Sequence, residues 1–183
     1  MNVFVLCTGR CGSTTFIKAC QYITNYTASH EKNSQFIGKE RLSYPSWHIE
    51  ADNRLSWFLG SLDRRFGDDA FYVHLFRDRE AVAESFFRRW GGGIIQAYQV
   101  GILMQRPIKK MDWNNKNYIM DICRDYYDTV NDNINAFLSN KTGKMKFELE
   151  NWEECFPYFW EKISAEGDFD SSLGEWYKKY NAS

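Results

Sequence analysis

Residues 3–15, Val-Phe-Val-Leu-Cys-Thr-Gly-Arg-Cys-Gly-Ser-Thr-Thr, constrain this chain more than any other stretch. An apolar run of strand type leads into a small-residue loop that holds Gly9, Arg10 and Gly12, then the hydroxyls of Ser13, Thr14 and Thr15. A helix-compatible pattern follows at Phe16, Ile17, Ala19 and Cys20. Strand, tight loop and helix in that order aim backbone N–H groups and a helix N-terminus at an anion. Arg10 adds a full positive charge. The segment asks for a phosphate or a sulfate.

It is not the loop of a nucleotide hydrolase. That motif needs G-x4-G-K-[ST], with lysine directly after the second glycine and a hydroxyl for Mg²⁺. Here Gly9 and Gly12 are three apart, and Ser13 follows Gly12. Nor is it a phosphatase loop. A nucleophile at Cys7 would need an arginine six residues on, where Ser13 stands, and the same offset from Cys11 lands on Ile17. The plain alternative is an ordinary strand-to-helix turn.

A second segment, 71–90, repeats the theme. Phe71 to Phe76 reads as a buried strand, and Asp78 as the cap of a helix with Glu80 in its first turn. Val82, Phe86 and Trp90 recur every four residues, which suits a helix packed on a sheet. Arg77 then sits at a strand's carboxyl end, where open α/β sheets bind ligands. Ser85 follows eight residues later, on the same helix face as the small Ala81. Arg77 and Ser85 together could grip one phosphate. Each alone fits a surface arginine and a packed helix serine.

The two segments together resemble the sulfotransferases that use 3′-phosphoadenosine-5′-phosphosulfate (PAPS). In that family a [KR]-x-G-[ST]-[ST] loop after the first strand binds the 5′-phosphosulfate, which corresponds here to Arg10-Cys11-Gly12-Ser13-Thr14, with Thr15 next. A later strand ends in an arginine with a serine eight residues on, and the pair binds the 3′-phosphate, here Arg77 and Ser85. An aromatic and acidic strand near the C-terminus is similar to Met145–Trp152. Two positions depart from the pattern. Arg79 stands where a proline is common, and Thr15 where the cytosolic members carry tryptophan. The resemblance implies a P-loop-like α/β fold with a mainly parallel sheet flanked by helices. It implies PAPS as donor, 3′,5′-ADP as product, a small-molecule or glycan acceptor, and no catalytic metal, with protein cations in the metal's role.

Such transfer needs a general base for the acceptor hydroxyl or amine. Glu31 is the first choice, since the family places a glutamate shortly after the second strand; His48, His30 and Glu50 follow it. His74, inside an apolar strand, reads as a hydrogen-bonded core histidine. Phe16 is a candidate for stacking on adenine, while Arg88 and Arg89 read as a solvated helix face first and as helpers of the 3′-phosphate second.

Composition narrows the rest. At 183 residues the chain is expected to form one domain with a sizeable core. Aromatics at 17% exclude a disordered chain, and a formal charge of −1 argues against a general nucleic-acid binder. No run approaches ~20 apolar residues, so no membrane span is expected. With no secretory segment at the start, the five cysteines read as reduced thiols of a cytoplasmic protein. Cys7 and Cys11 have no second Cys/His pair at metal spacing. A P-loop kinase without the usual lysine, and a binding module without turnover, remain open beside the sulfotransferase reading.

The element pattern alternates strand and helix, as a mainly parallel sheet requires. Strands are expected at about 3–8, 23–28, 71–76 and 144–149. Helices are expected after the first loop to Tyr22, at 54–66, and from Asp78 to the stop at Gly91-Gly92-Gly93. A short one is expected within 94–105, and a long amphipathic one from Asn117 to Leu138. The tail is expected to be helical at 157–163 and 173–180. Residues 29–54 read as an ordered loop region.

Overall fold

The computed structural model describes residues 1–108, 116–178 and 180. Its centre is β1 (Asn2–Leu6), buried along its whole length. Val3 and Val5 point to one face of the sheet and Phe4 and Leu6 to the other, and both pairs are fully buried. A strand that is apolar on both faces needs cover on both faces. Helix α1 (Ser13–Cys20) covers the valine face, together with α6 (Trp152–Lys162) and α7 (Phe169–Gly174). Helices α2 (Leu59–Phe66), α3 (Arg79–Arg88) and α5 (Lys116–Leu138) cover the phenylalanine face. The result is an α/β fold of three layers.

The sheet has five strands, all parallel, in the order β2-β3-β1-β4-β5. β2 is Thr27–His30, β3 His48–Ala51, β4 Ala70–Phe76 and β5 Lys144–Glu148. From β1 the chain crosses through α1 to the β2 edge. From β4 it crosses through α3 and α5 to the β5 edge. The two connections leave on opposite faces, so the crevice between the carboxyl ends of β1 and β4 is a topological switch point, where open sheets of this kind bind ligands.

Several expected elements differ from those observed. Ile23 does not open the second strand; it makes an isolated antiparallel bridge to Gly167, and β2 begins four residues later. β2 is a polar edge strand, Thr-Ala-Ser-His, with no apolar signature to read. β3 lies inside the segment read as loop. Its Ile49 and Ala51 pack under α1, while His48 and Glu50 are buried on the other face by their own polar partners. A polar pair on a strand's inner face hides the strand from hydropathy.

The expected helix at 54–66 is a 3₁₀ turn at Asn53–Trp57 followed by α2. The short helix is α4 (Gly93–Ala97), continued by a π turn over Tyr98–Ile102. α6 starts at Trp152, so Pro157 sits inside it rather than at its first turn. The anchors are Phe156 and Phe159, both fully buried in the α1 core. The tail is α7 followed by a 3₁₀ turn at Glu175–Tyr177; Lys179 of the expected helix lies outside the described residues.

Candidate anion-binding site at the β1–β4 switch point

The loop after β1 is held from beneath. Ser56 Oγ donates to the Cys7 carbonyl at 3.1 Å, and Tyr126 Oη donates to the Thr8 carbonyl at 2.7 Å. Asn53 Nδ2 adds a third bond, to Thr8 O at 3.3 Å. The turn then runs through positive φ at Gly9, Arg10 and Gly12, +82°, +60° and +88°. Gly12 is required twice over. Its φ is left-handed, and a Cβ there would lie 2.5 Å from Leu149 Cδ1. Gly12 is also the N-cap of α1, which has no side-chain cap. The first intrahelical bond runs from Phe16 N to Gly12 O at 2.9 Å. The first-turn amides of α1 therefore point along the helix axis toward the crevice.

A cavity of about 430 Å³ opens there. The loop and α1 supply Arg10, Gly12, Ser13, Thr14 and Thr15 to its wall; β4 and α3 supply Arg77, Ser85 and Arg88. The two sequence segments thus meet in one site. The joint is direct, since Arg10 Nε donates to Ser85 Oγ at 3.0 Å across 75 residues of chain. Burial, and then the charges of Arg89, Arg88 and Arg77, lower the Arg10 pKa from the ordinary arginine value. Gathering these cations in one place is an arrangement that an anion relieves.

Cys11 does not line the cavity. It is fully buried beside Cys7, and the contact between the two thiols, with burial, pushes the Cys7 thiol up. The same contact lowers the Cys11 thiol, but both thiols are sealed from solvent beneath the loop, which fits packing rather than nucleophilic chemistry.

The opposite wall is aromatic, and beyond the likeness of segment 145–152 the sequence assigns it no role. Leu149, Trp152 and Trp176 form it, with Lys178 and Tyr180 at the rim. Trp176 stacks on Trp152 at 5.6 Å and on Phe147 at 5.3 Å. Its buried Nε1 donor has no hydrogen-bond partner among the described residues. The tail's run of Trp176, Tyr177, Lys178 and Tyr180 was a visible signal, but its distance along the chain from the loop concealed its place. Phe16, by contrast, is a core residue, fully buried against Phe147 and Phe159. Arg88, read as part of a solvated face, lines the cavity.

The candidate bases fall in three places. His48 and Glu50 are 1% and 0% exposed. His48 Nδ1 lies 2.7 Å from Thr27 Oγ1, and its Nε2 3.1 Å from Glu50 Oε2. Glu50 also accepts from Ser29 Oγ and from the Lys32 amide. This closed network has no route to an acceptor. Glu31, at φ +56°, lies outside the cavity wall and pairs with Arg54 at 2.8 Å. His30 also lies outside the cavity wall, but it touches a residue of that wall: its Nε2 is 3.0 Å from Ser13 Oγ. His74 is a core histidine as expected, 3% exposed, with Nε2 2.7 Å from Asn131 Oδ1; burial lowers its pKa, which keeps it neutral.

No family model, curated protein or solved structure matches this chain. Among the described residues no three His, Cys, Asp or Glu are grouped to hold a metal ion, and no helix is long and apolar enough to cross a membrane.

Proposed function

We propose that this chain is a sulfotransferase that moves a sulfuryl group from PAPS to a hydroxyl or amine of a small-molecule or glycan acceptor. The observation that carries the reading is the 3.0 Å bond from Arg10 to Ser85, which joins the loop and the Arg77/Ser85 pair in one cavity. Two anion grips side by side fit a ligand with two separated phosphates, and an ATP site has no use for the second. The residues suit such a donor. Amides and hydroxyls of Ser13 to Thr15 would hold the 5′ end, Arg77 and Ser85 the 3′-phosphate, and the Trp152 side the base.

When bound, PAPS supplies an electrophilic sulfuryl group and a charged leaving phosphate. The chain's part is to neutralise that charge, hold the donor in line and take a proton from the acceptor. Arg10 and the α1 N-terminus supply the neutralising field. His30, on Ser13, is better placed than Glu31 to take the proton, since Glu31 is held by Arg54. The five free thiols support a reducing, cytoplasmic setting.

Thermal shift with 3′,5′-ADP and AMP tests the reading. 3′,5′-ADP should raise Tm well above AMP, because the extra phosphate adds charge-assisted bonds. Arg77→Ala should remove roughly 1.5–3 kcal/mol from 3′,5′-ADP binding and little from AMP. Equal shifts from both nucleotides would refute the second grip, and saturable Mg²⁺-ATP binding without 3′,5′-ADP binding would favour a kinase.

A further inference from the structure

The second anion grip has an internal competitor. Glu150 lies on the 3₁₀ turn Leu149–Asn151 that follows β5. Its Oε1 accepts from the Asp78 backbone N–H at 3.3 Å and lies 3.5 Å from Arg77 Nε. The Arg77 Nε itself is shielded from water and makes no hydrogen bond among the described residues. The pair is thus a charge contact without the directed bond that a well-placed acceptor would accept. Arg77 and the Asp78 amide stand at the carboxyl end of β4, beside the first turn of α3. One carboxylate oxygen occupies the contact sphere of both.

Glu150 is well suited to yield. Its side chain is 46% exposed, so it can turn into solvent at small cost, and Arg77 at 36% can follow a ligand. Leu149, the preceding residue, fills the space over Gly12, which fixes this turn against the loop. The carboxylate therefore sits at the border of the cavity by construction of the backbone.

We infer that Glu150 sets how long a ligand's second phosphate stays bound, by competing with it for Arg77. The inference rests on the proposed function and adds a regulating residue to that site. A phosphate reaching Arg77 must displace the Glu150 carboxylate or bear its repulsion, and on release the carboxylate recaptures the guanidinium. A nucleotide with a 3′-phosphate pays this penalty; one without it does not. The consequence is faster release of the product 3′,5′-ADP than the cation cluster alone would allow.

The test compares wild type, Glu150→Gln, Arg77→Ala and the double variant for binding of 3′,5′-ADP and AMP, by calorimetry and by stopped-flow dissociation. Glu150→Gln should tighten 3′,5′-ADP about three- to tenfold, mostly through slower dissociation, and leave AMP unchanged. In the Arg77→Ala background the gain should vanish, as a direct coupling requires. The inference is overturned if the ratio of 3′,5′-ADP to AMP affinity stays constant or falls in Glu150→Gln; Glu150 would then merely orient Arg77. The functional reading is judged separately, by that ratio in wild type. A wild type that prefers 3′,5′-ADP beside a Glu150→Gln protein with the same ratio would overturn the competition and leave the functional reading standing. No nucleotide binding by any variant would refute both.

Discussion

The two halves of the sheet's carboxyl edge handle charge in opposite ways. On the β1–β4 side, Arg10 sits in the combined field of Arg77, Arg88 and Arg89. On the β2–β3 side, opposite charges are interleaved: Arg41 meets Asp52 at 2.8 Å, Asp52 meets Arg54 at 3.6 Å, and Arg54 meets Glu31 at 2.8 Å. The first is a cluster of cations that Glu150 on Arg77 and Glu84 on Arg88 offset only through exposed, longer contacts, so an added anion can still relieve it. The second is already neutralised and does structural work. Both sit at strand ends of the same sheet, so strand-end position alone does not identify a binding site. The local balance of charge is what separates the two ends.

The largest expected effect lies where the two halves touch, at His30 on Ser13. His30→Gln keeps a hydrogen-bonding group and removes the proton acceptor. Transfer to alcohol, amine and sugar acceptors should fall by roughly 10²–10⁴-fold, with 3′,5′-ADP affinity retained. Glu31→Gln should cost far less, because its carboxylate serves Arg54. A larger loss from Glu31→Gln would return the base to the carboxylate and make the β2–β3 edge catalytic.

The next effect sharpens the structural side. Arg41 and Asp52 are 4% and 1% exposed. Burial pushes the Asp52 carboxyl up, against the pull of the Arg54 amide and of Arg41. A pair with that balance adds little net stability, yet breaking it strands a buried guanidinium. Asp52→Ala should therefore lower unfolding stability by about 3–5 kcal/mol in urea titration. Nucleotide affinity of the folded protein should hold. A large affinity loss instead would show that the interleaved half shapes the anion site.

The contrast also decides what could be read from sequence. β1, its loop, β4 and Asp78's cap on α3 are legible because apolar runs end in residues whose chemistry needs a strand end. Asp78 Oδ1 indeed accepts from the Ala81 amide at 2.8 Å. The long helix α5 is legible by its period. β3 was not, because His48 and Glu50 are buried through partners on β2 and on the loop after it, and only the fold reveals those partners. The aromatic wall was not, because Trp176 reaches the loop through tertiary packing on Phe147 and Trp152. Site chemistry carried by a local motif survives in sequence; chemistry assembled from distant turns does not.

The smallest expected effect concerns that wall. Glu175 is 4% exposed and anchors the tail over the cavity. It accepts from Tyr22 Oη at 3.0 Å, from Lys178 Nζ at 2.6 Å, and from Tyr180 Oη. Lys178 and Tyr180 line the cavity, so the carboxylate ties part of its wall to Tyr22, just past the end of α1. The bond from Lys178, then those from Tyr180 and Tyr22, hold the Glu175 carboxyl below its ordinary value. A carboxyl depressed by folding contributes stability above its unfolded pKa, about 4.3, and loses it as pH falls through the lower folded value. Acidification below about pH 4 should thus loosen residues 175–180 before the sheet melts. Tryptophan fluorescence should report it through Trp176, and amide exchange should speed up in that segment first. Glu175→Gln should show the loosened tail already at neutral pH and no further change on mild acidification. Tail and sheet losing protection together in acid would mean that Glu175 is a buried structural carboxylate with no separate hold on the wall.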